Sequence, residues 1–172
     1  AYSTLEFDLD TGKRGSRLRH VESLICALTG AEAALVVNNC AGAILTCLSA
    51  LATGRDVIAA RGELVEIGGS FRMPDVITTS GAHLKEVGTT NKTHLADYEN
   101  AITDQSALLL KSHTSNYAVV GFSSSPSRQD LATLAQAKNI HFIEDLGSGV
   151  LVALAPYGLP DEPIVKAVLA AG

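Results

Sequence analysis

The stretch "HFIEDLGSG", His141 to Gly149, sets two carboxylates, Glu144 and Asp145, at the end of an apolar run and follows them with small residues. A surface acid needs no such setting, whereas a carboxylate that meets a cation inside a cleft does. Three other stretches also gather polar capacity just after apolar runs. "NNCAGA" (38–43) joins a strand-like run to a helix-like run through small residues, so its free amides, aided by the helix dipole, can seat a phosphate. "RGELVEIGGSFR" (61–72) permits close backbone approach at Gly68 and Gly69 and ends on the guanidinium of Arg72. "HTSNY" (113–117) offers a histidine, two hydroxyls and an amide in a row. Each also has an ordinary reading. These are a tight strand–helix turn, a glycine turn, Thr114 and Asn116 as turn hydrogen-bonders with His113 as a structural histidine, and Asp145 salt-bridged at a strand end.

Several chemistries lack their residues. No G-K-[ST] follows "NNCAGA", and it is not G-x-G-x-x-G, which argues against a lysine-gripped nucleotide triphosphate. The five histidines, at 20, 83, 94, 113 and 141, show neither H-x-x-x-H nor H-E-x-x-H spacing and do not pair with the cysteines, so no metal site is expected. A Ser–His–Asp hydrolase would need a G-x-S-x-G elbow, and there is none. A phosphate seat, a hydrogen-bonding amide and a buried carboxylate on neighbouring strand ends remain. Pyridoxal phosphate needs those three: a helix N-terminus for its phosphate, a donor near its phenolic oxygen and an acid for its pyridinium nitrogen. Asp145 would be that acid.

Something must bring these stretches together, and the hydrophobic pattern supplies it. Helix spacing runs through "HVESLICALTG" (20–30), "CAGAILTCLSALATG" (40–54), "HLADYENAI" (94–102), "SRQDLATLAQAKN" (127–139) and "IVKAVLAAG" (164–172). Strand-like runs lie between and around them, "AALVVNN" (33–39), "DVIAA" (56–60), "HLKEVG" (83–88), "ALLLKSH" (107–113) and "IHFIEDLG" (140–147). Thr93 and Ser127 are placed to cap two of the helices. Alternation of apolar strands with amphipathic helices predicts a three-layer α/β fold with a mostly parallel sheet covered on both faces. In such sheets ligands collect at the carboxyl ends of the strands, where all four polar stretches fall.

The bulk properties agree with a globular domain. The 172 residues are 47% hydrophobic and 18% charged, enough apolar material for one sizeable core. Aromatic residues make up 5% with no Trp, which disfavours a base-stacking surface, and the formal charge of −5 offers no general attraction to DNA or anionic membrane. The odd set Cys26, Cys40 and Cys47, without C-x-x-C spacing, reads as reduced thiols. With no apolar run of about 18 residues and a polar, acidic start, a soluble cytoplasmic protein is expected. Residues 1–19, which contain the cation-rich "TGKRGSRLR", stand apart as a basic N-terminal segment, and residues 20–172 carry the alternation.

Taken together, "TGKRGSR", "TGAEAALVVNN", "RGELVEIGGSFR", "VGTTNKTHLADYENAI", "HTSNYAVVGF" and "EDLGSG" closely resemble the bacterial selenocysteine synthase family, L-seryl-tRNA(Sec) selenium transferase, in collinear order along nearly the whole chain. The resemblance implies the large domain of fold-type-I pyridoxal-phosphate enzymes, present here incompletely. It also implies a transferase that makes selenocysteine from seryl-tRNA(Sec) with selenophosphate, and a homo-oligomer with active sites built across subunits. By position it assigns Asp145 to the pyridine nitrogen and Asn39, Cys40 and Ala41 to the phosphate turn. It puts Asn116 near the phenolic oxygen and Ile67 where relatives stack an aromatic ring. Arg14, Arg17 and Arg72 become candidates for holding selenophosphate or tRNA phosphate. The family's Schiff-base lysine belongs to an S-G-D-K-type motif that none of the six lysines here has. The Schiff-base lysine strand, the small domain and the N-terminal tRNA-binding region are therefore expected outside these residues, and the 172-residue piece is expected to be inactive alone. Two alternatives stay open: a related fold-type-I lyase or aminotransferase acting on a small amino acid or amino-sugar phosphate, and a non-catalytic oligomerisation fragment.

Overall fold

A computed structural model describes residues 3–172. The N-terminal segment forms a small antiparallel hairpin, β1 (Phe7–Asp8) with β2 (Lys13–Arg14). Helix α1 (Arg19–Thr29) follows and stops at Gly30, whose φ of 83° lets its N–H return to the Cys26 carbonyl at 2.8 Å. A glycine makes that left-handed cap without strain. Then come α2 (Cys40–Ala52), β3 (Asp56–Ala60), a 3-10 turn (Arg61–Glu63) and a second short hairpin, β4 (Glu66–Ile67) with β5 (Phe71–Arg72). The remainder is α3 (Met73–Thr79), β6 (His83–Val87), α4 (Leu95–Ala101), β7 (Ser106–Ser112), α5 (Arg128–Ala137), β8 (His141–Asp145), a 3-10 turn (Ala155–Tyr157) and α6 (Val165–Leu169).

The central sheet is wholly parallel, in the order β6-β3-β7-β8. Its two inner strands are apolar on both faces, as a doubly covered sheet requires. Val57, Ala59, Leu108 and Leu110 face one way and pack with Ile44 and Leu48 of α2 and Met73 and Ile77 of α3. Ile58, Ala60 and Leu109 face the other way and pack with Tyr98 of α4 and Leu131 and Leu134 of α5. Each fully buried leucine or isoleucine contributes about 1.5–3 kcal/mol, so these two layers fix the register of every strand. Helix α5 starts where Ser127 caps it, the hydroxyl accepting from the Asp130 N–H at 3.1 Å.

Two local expectations change, and one helix appears where none was expected. Residues 33–39 form no strand and pair with none among the described residues, and Leu35 is 59% exposed. An apolar run becomes a strand only when a neighbour offers hydrogen bonds, and no such neighbour is present among the described residues. Helix α4 is capped at His94, whose N–H donates to Asp97 Oδ2 at 2.7 Å, rather than at Thr93. Thr93 is instead buried against Gly88, where an added Cβ would lie 2.2 Å from its hydroxyl. Helix α3 lies in "MPDVITT", whose short β-branched run gives little helix signal, although Pro74 in its first turn suits a start.

Because the four strands are parallel, the turns after β3, β6, β7 and β8 all emerge at one edge of the sheet, and the functional stretches emerge with them.

Candidate functional site

Adjacent residues of a strand point to opposite faces, and that separates the two acids of "EDLGSG". Glu144 lies beside Lys111 in the sheet register and receives Nε and Nη2 of Arg128 at 3.0 and 2.9 Å. That bidentate pair ties β8 to the start of α5 and raises the Arg128 pKa. Asp145 lies beside Ser112 and points to the α2 side, 8% exposed. Its Oδ1 accepts from the Gly147 N–H at 3.1 Å and from the Cys40 thiol at 3.2 Å. Gly147 turns back to make this bond with φ at 65°, a value that costs any residue with a side chain. Among the described residues no donor reaches Oδ2.

The Cys40 contact spans 105 residues of sequence and brings the α2 N-terminus to the acid. Asn39, extended at φ −163°, caps the helix with its side-chain oxygen on the Gly42 N–H at 2.7 Å. The Ala43 N–H is taken by the Asn39 carbonyl. The N–H groups of Cys40 and Ala41 have no acceptor among the described residues, as expected for the orphan donors of a first turn. Burial, and then the negative charge of Asp145, push the Cys40 thiol up to about 11. Asn39, Cys40, Ala41 and Asp145 thus form one constellation.

The other candidates are dispersed. Asn116 donates its amide to the Glu66 carbonyl at 3.1 Å, against the hairpin that also carries Ile67. Arg72 is engaged by Glu66 at 2.7 Å, yet it lines a shallow cavity of about 350 Å³ together with Ala41 and Gly42, so it shares an opening with the α2 N-terminus. Arg14 lies 3.2 Å from Glu6, and Arg17 is held by the same carboxylate. Arg14 belongs to the N-terminal hairpin and Arg17 follows it, and no hydrogen bond joins either to the strand-end residues among the described ones.

A buried polar cluster went unremarked in the sequence. Glu63, 8% exposed, accepts from Lys111 Nζ at 2.7 Å, Ser125 Oγ at 3.0 Å and the Ser112 N–H at 3.2 Å. It lines a cavity of about 420 Å³ with Thr93, Lys111, His113, Arg128 and Glu144. An acid three residues after the fully apolar "VIAA" was the available signal. His113 donates its main-chain N–H to the Asp145 carbonyl at 2.8 Å, and its Nε2 lies 3.1 Å from Glu162, which also takes the Ser148 hydroxyl at 3.0 Å. Main chain and side chain together lock the turn that carries Asp145.

Comparison with known proteins agrees with this layout. A chain of the same fold is D-glucosaminate-6-phosphate ammonia-lyase, with a TM-score of 0.72 at 20% identity over 90% of this chain and 42% of that one. Another is a putative O-acetylhomoserine (thiol)-lyase from Campylobacter jejuni, solved with N'-pyridoxyl-lysine-5'-monophosphate, with a TM-score of 0.55 at 16% identity over 73% of this chain and 29% of that one. The architecture, an α/β fold with a parallel central sheet, is the one these chains share. In sequence, the chain is 66% identical over 170 residues to the L-seryl-tRNA(Sec) selenium transferase of Hyphomonas neptunium, covering 99% of this chain and 37% of the relative. It therefore spans little more than a third of the length of that relative. The profile described as L-seryl-tRNA selenium transferase matches residues 1–172, and the chain belongs to that family.

Proposed function

We propose that these residues form the cofactor cradle of a pyridoxal-phosphate-dependent enzyme that converts seryl-tRNA(Sec) to selenocysteinyl-tRNA(Sec) with selenophosphate. The observation that carries the reading is the environment of Asp145: a buried carboxylate with one oxygen held by two donors and the other left to accept, set against a helix N-terminus with two free amides. Those groups fit the cofactor's cationic ring nitrogen and its phosphate. When bound, pyridoxal phosphate supplies an electron sink for bond cleavage at the α-carbon of the seryl group. Asp145 would keep the ring nitrogen protonated, and the amides of Cys40 and Ala41, aided by the α2 dipole, would hold the phosphate. Arg72, at the rim beside Ala41, would attract an anionic group of the substrate or selenium donor, and Arg14 and Arg17 would do so from the N-terminal segment. Asn116 would sit near the phenolic oxygen.

The lysine that binds the cofactor covalently is assigned outside residues 1–172. Lys111 is a poor candidate because it faces away from Asp145 and is held by Glu63. The parent protein is proposed to be a cytoplasmic homo-oligomer. Val120 and Phe122, 91% and 88% exposed in the loop after β7, are apolar surface that such an assembly would cover.

Borohydride trapping of pyridoxal phosphate on the natural full-length protein, with peptide mapping of the labelled lysine, tests the proposal. A label beyond Gly172 supports it. A label on Lys111, or no label, overturns it. Turnover of a free small amine without aminoacyl-tRNA would instead favour a lyase or aminotransferase.

A further inference from the structure

Cys40 is the first residue of α2, a position at which a thiol ordinarily acquires a low pKa and becomes reactive. Here the opposite holds. Its sulfur is 3.2 Å from Asp145 Oδ1, and that carboxylate is the titratable group acting on it among the described residues. Partial burial of the sulfur, the adjacent charge and the hydrogen bond to it all oppose a thiolate, the Gly147 main chain offsets a part, and the thiol is pushed up to about 11. At neutral pH the sulfur is therefore an S–H donor beside a carboxylate, not a nucleophile.

The contact has a geometric consequence. Oδ1 of Asp145 takes two donors, the Gly147 N–H at 3.1 Å and the thiol, from segments 105 residues apart. Rotating the carboxylate would break both bonds, so the oxygen that is free stays the same one. We infer that Cys40 is a positioning residue: its thiol fixes one oxygen of Asp145, so that the other is the acceptor presented to a cationic ring nitrogen. The inference rests on the reading of Asp145 as the pyridinium partner. It also gives the middle residue of the phosphate turn a second task, coupling the seat of the phosphate to the acid that would face the ring nitrogen.

Two measurements on the full-length protein test this. The first is the rate of alkylation of each cysteine by iodoacetamide against pH, read at peptide level. A pKa of about 11 in place of 9.0 lowers the thiolate fraction about 100-fold at neutral pH. The greater nucleophilicity of a more basic thiolate returns roughly eightfold. Cys40 and Cys47 are both exposed, so access does not separate them; Cys40 should then react about tenfold more slowly than Cys47, and several-fold faster in Asp145→Asn. A Cys40 pKa near 9 in the wild type overturns the inference even if Asp145→Asn fails to fold, as does an Asp145→Asn variant with unchanged Cys40 reactivity. The second is titration with pyridoxal phosphate followed by absorbance. Cys40→Ala should bind about three- to tenfold more weakly, and Cys40→Ser, which keeps a donor, should recover most of that loss. Equal affinity in all three proteins overturns the positioning role. A wild-type protein that binds no pyridoxal phosphate overturns the proposed function and the role of Cys40 with it, while the alkylation profiles still report whether the thiol–carboxylate contact exists.

Discussion

Replacing Glu63 by alanine removes the anion that three donors share. Lys111, whose side chain is 17% exposed, would lose its 2.7 Å carboxylate and keep only Ser125 Oγ at 3.3 Å and the Pro126 carbonyl at 3.4 Å. The Ser112 N–H would lose its acceptor as well. Breaking one side of a buried pair costs about 3–5 kcal/mol. The two remaining acceptors and the partial exposure of Lys111 place the expected loss near the lower end, about 3 kcal/mol. Glu63→Leu combined with Lys111→Met removes both charges together, and an apolar pair of similar volume can be nearly neutral in place of a buried ion pair. The double variant should therefore be more stable than the sum of its single changes predicts, with a coupling of about 2 kcal/mol. Urea unfolding of the full-length proteins, with unchanged m-values, reads all four corners of the cycle. A Glu63→Ala loss below about 1 kcal/mol, or strict additivity of the pair, would refute the claim that Glu63 and Lys111 hold the strand ends as a unit.

Asp145→Ala in the full-length enzyme should lower kcat by on the order of 100-fold or more with an unchanged circular dichroism spectrum, and near-normal turnover would remove the role assigned to it. Gly147→Ala forces a side chain to φ 65° and sets a new Cβ 3.3 Å from Ser115 Oγ. A loss of about 1–2 kcal/mol in urea unfolding is expected, together with weaker pyridoxal phosphate binding as the bond to Asp145 loosens. The Tyr98 hydroxyl is fully buried and, beyond a weak approach of the Ala60 main chain too poor in geometry to be a full hydrogen bond, has no partner among the described residues, so Tyr98→Phe should leave stability at pH 7 unchanged or raise it by up to about 1 kcal/mol. Burial, with a smaller contribution from the Glu63 charge, pushes the Tyr98 pKa above its ordinary value of 10.0. The folded form therefore keeps a proton that the unfolded chain releases above pH 10. This contribution to stability is complete below pH 10 and is lost as pH rises past it, by about 1.4 kcal/mol per pH unit. Tyr98→Phe should lose less stability than the wild type between pH 10 and 11, and identical pH profiles would contradict this.

The periodicity of apolar residues made the layered sheet legible because the burial of "DVIAA" and "ALLLKSH" on both faces leaves a continuous apolar signature. It misread 33–39 for the same reason: apolar character reports a wish for burial, while strand formation also needs a partner backbone. Among the site residues, Asp145 and the α2 turn stood out one by one, yet nothing local indicates that Cys40 and Asp145 touch across 105 residues. The neighbours Glu144 and Asp145 look like one acidic unit in the sequence and do unrelated work, because strand alternation sends one to Arg128 and the other to Cys40. Arg14 and Arg17 read as free cations, but the hairpin folds Glu6 back onto both. Pairing of charges is a property of three-dimensional proximity, and spacing alone underestimates it.

The separation of 105 residues between Cys40 and Asp145 also sets a timetable during synthesis. At about 5–20 residues per second, roughly 5–20 s pass between translation of the α2 turn and translation of the carboxylate that meets it. Throughout that interval the amides of α2 face no acid and the central strands lack β8, so the nascent chain displays an unfinished sheet edge of the kind that invites non-native pairing. The cradle is thus among the last local structures that this segment can complete. A ligand that bridges its two halves would bind only the finished form and would draw the folding equilibrium toward it.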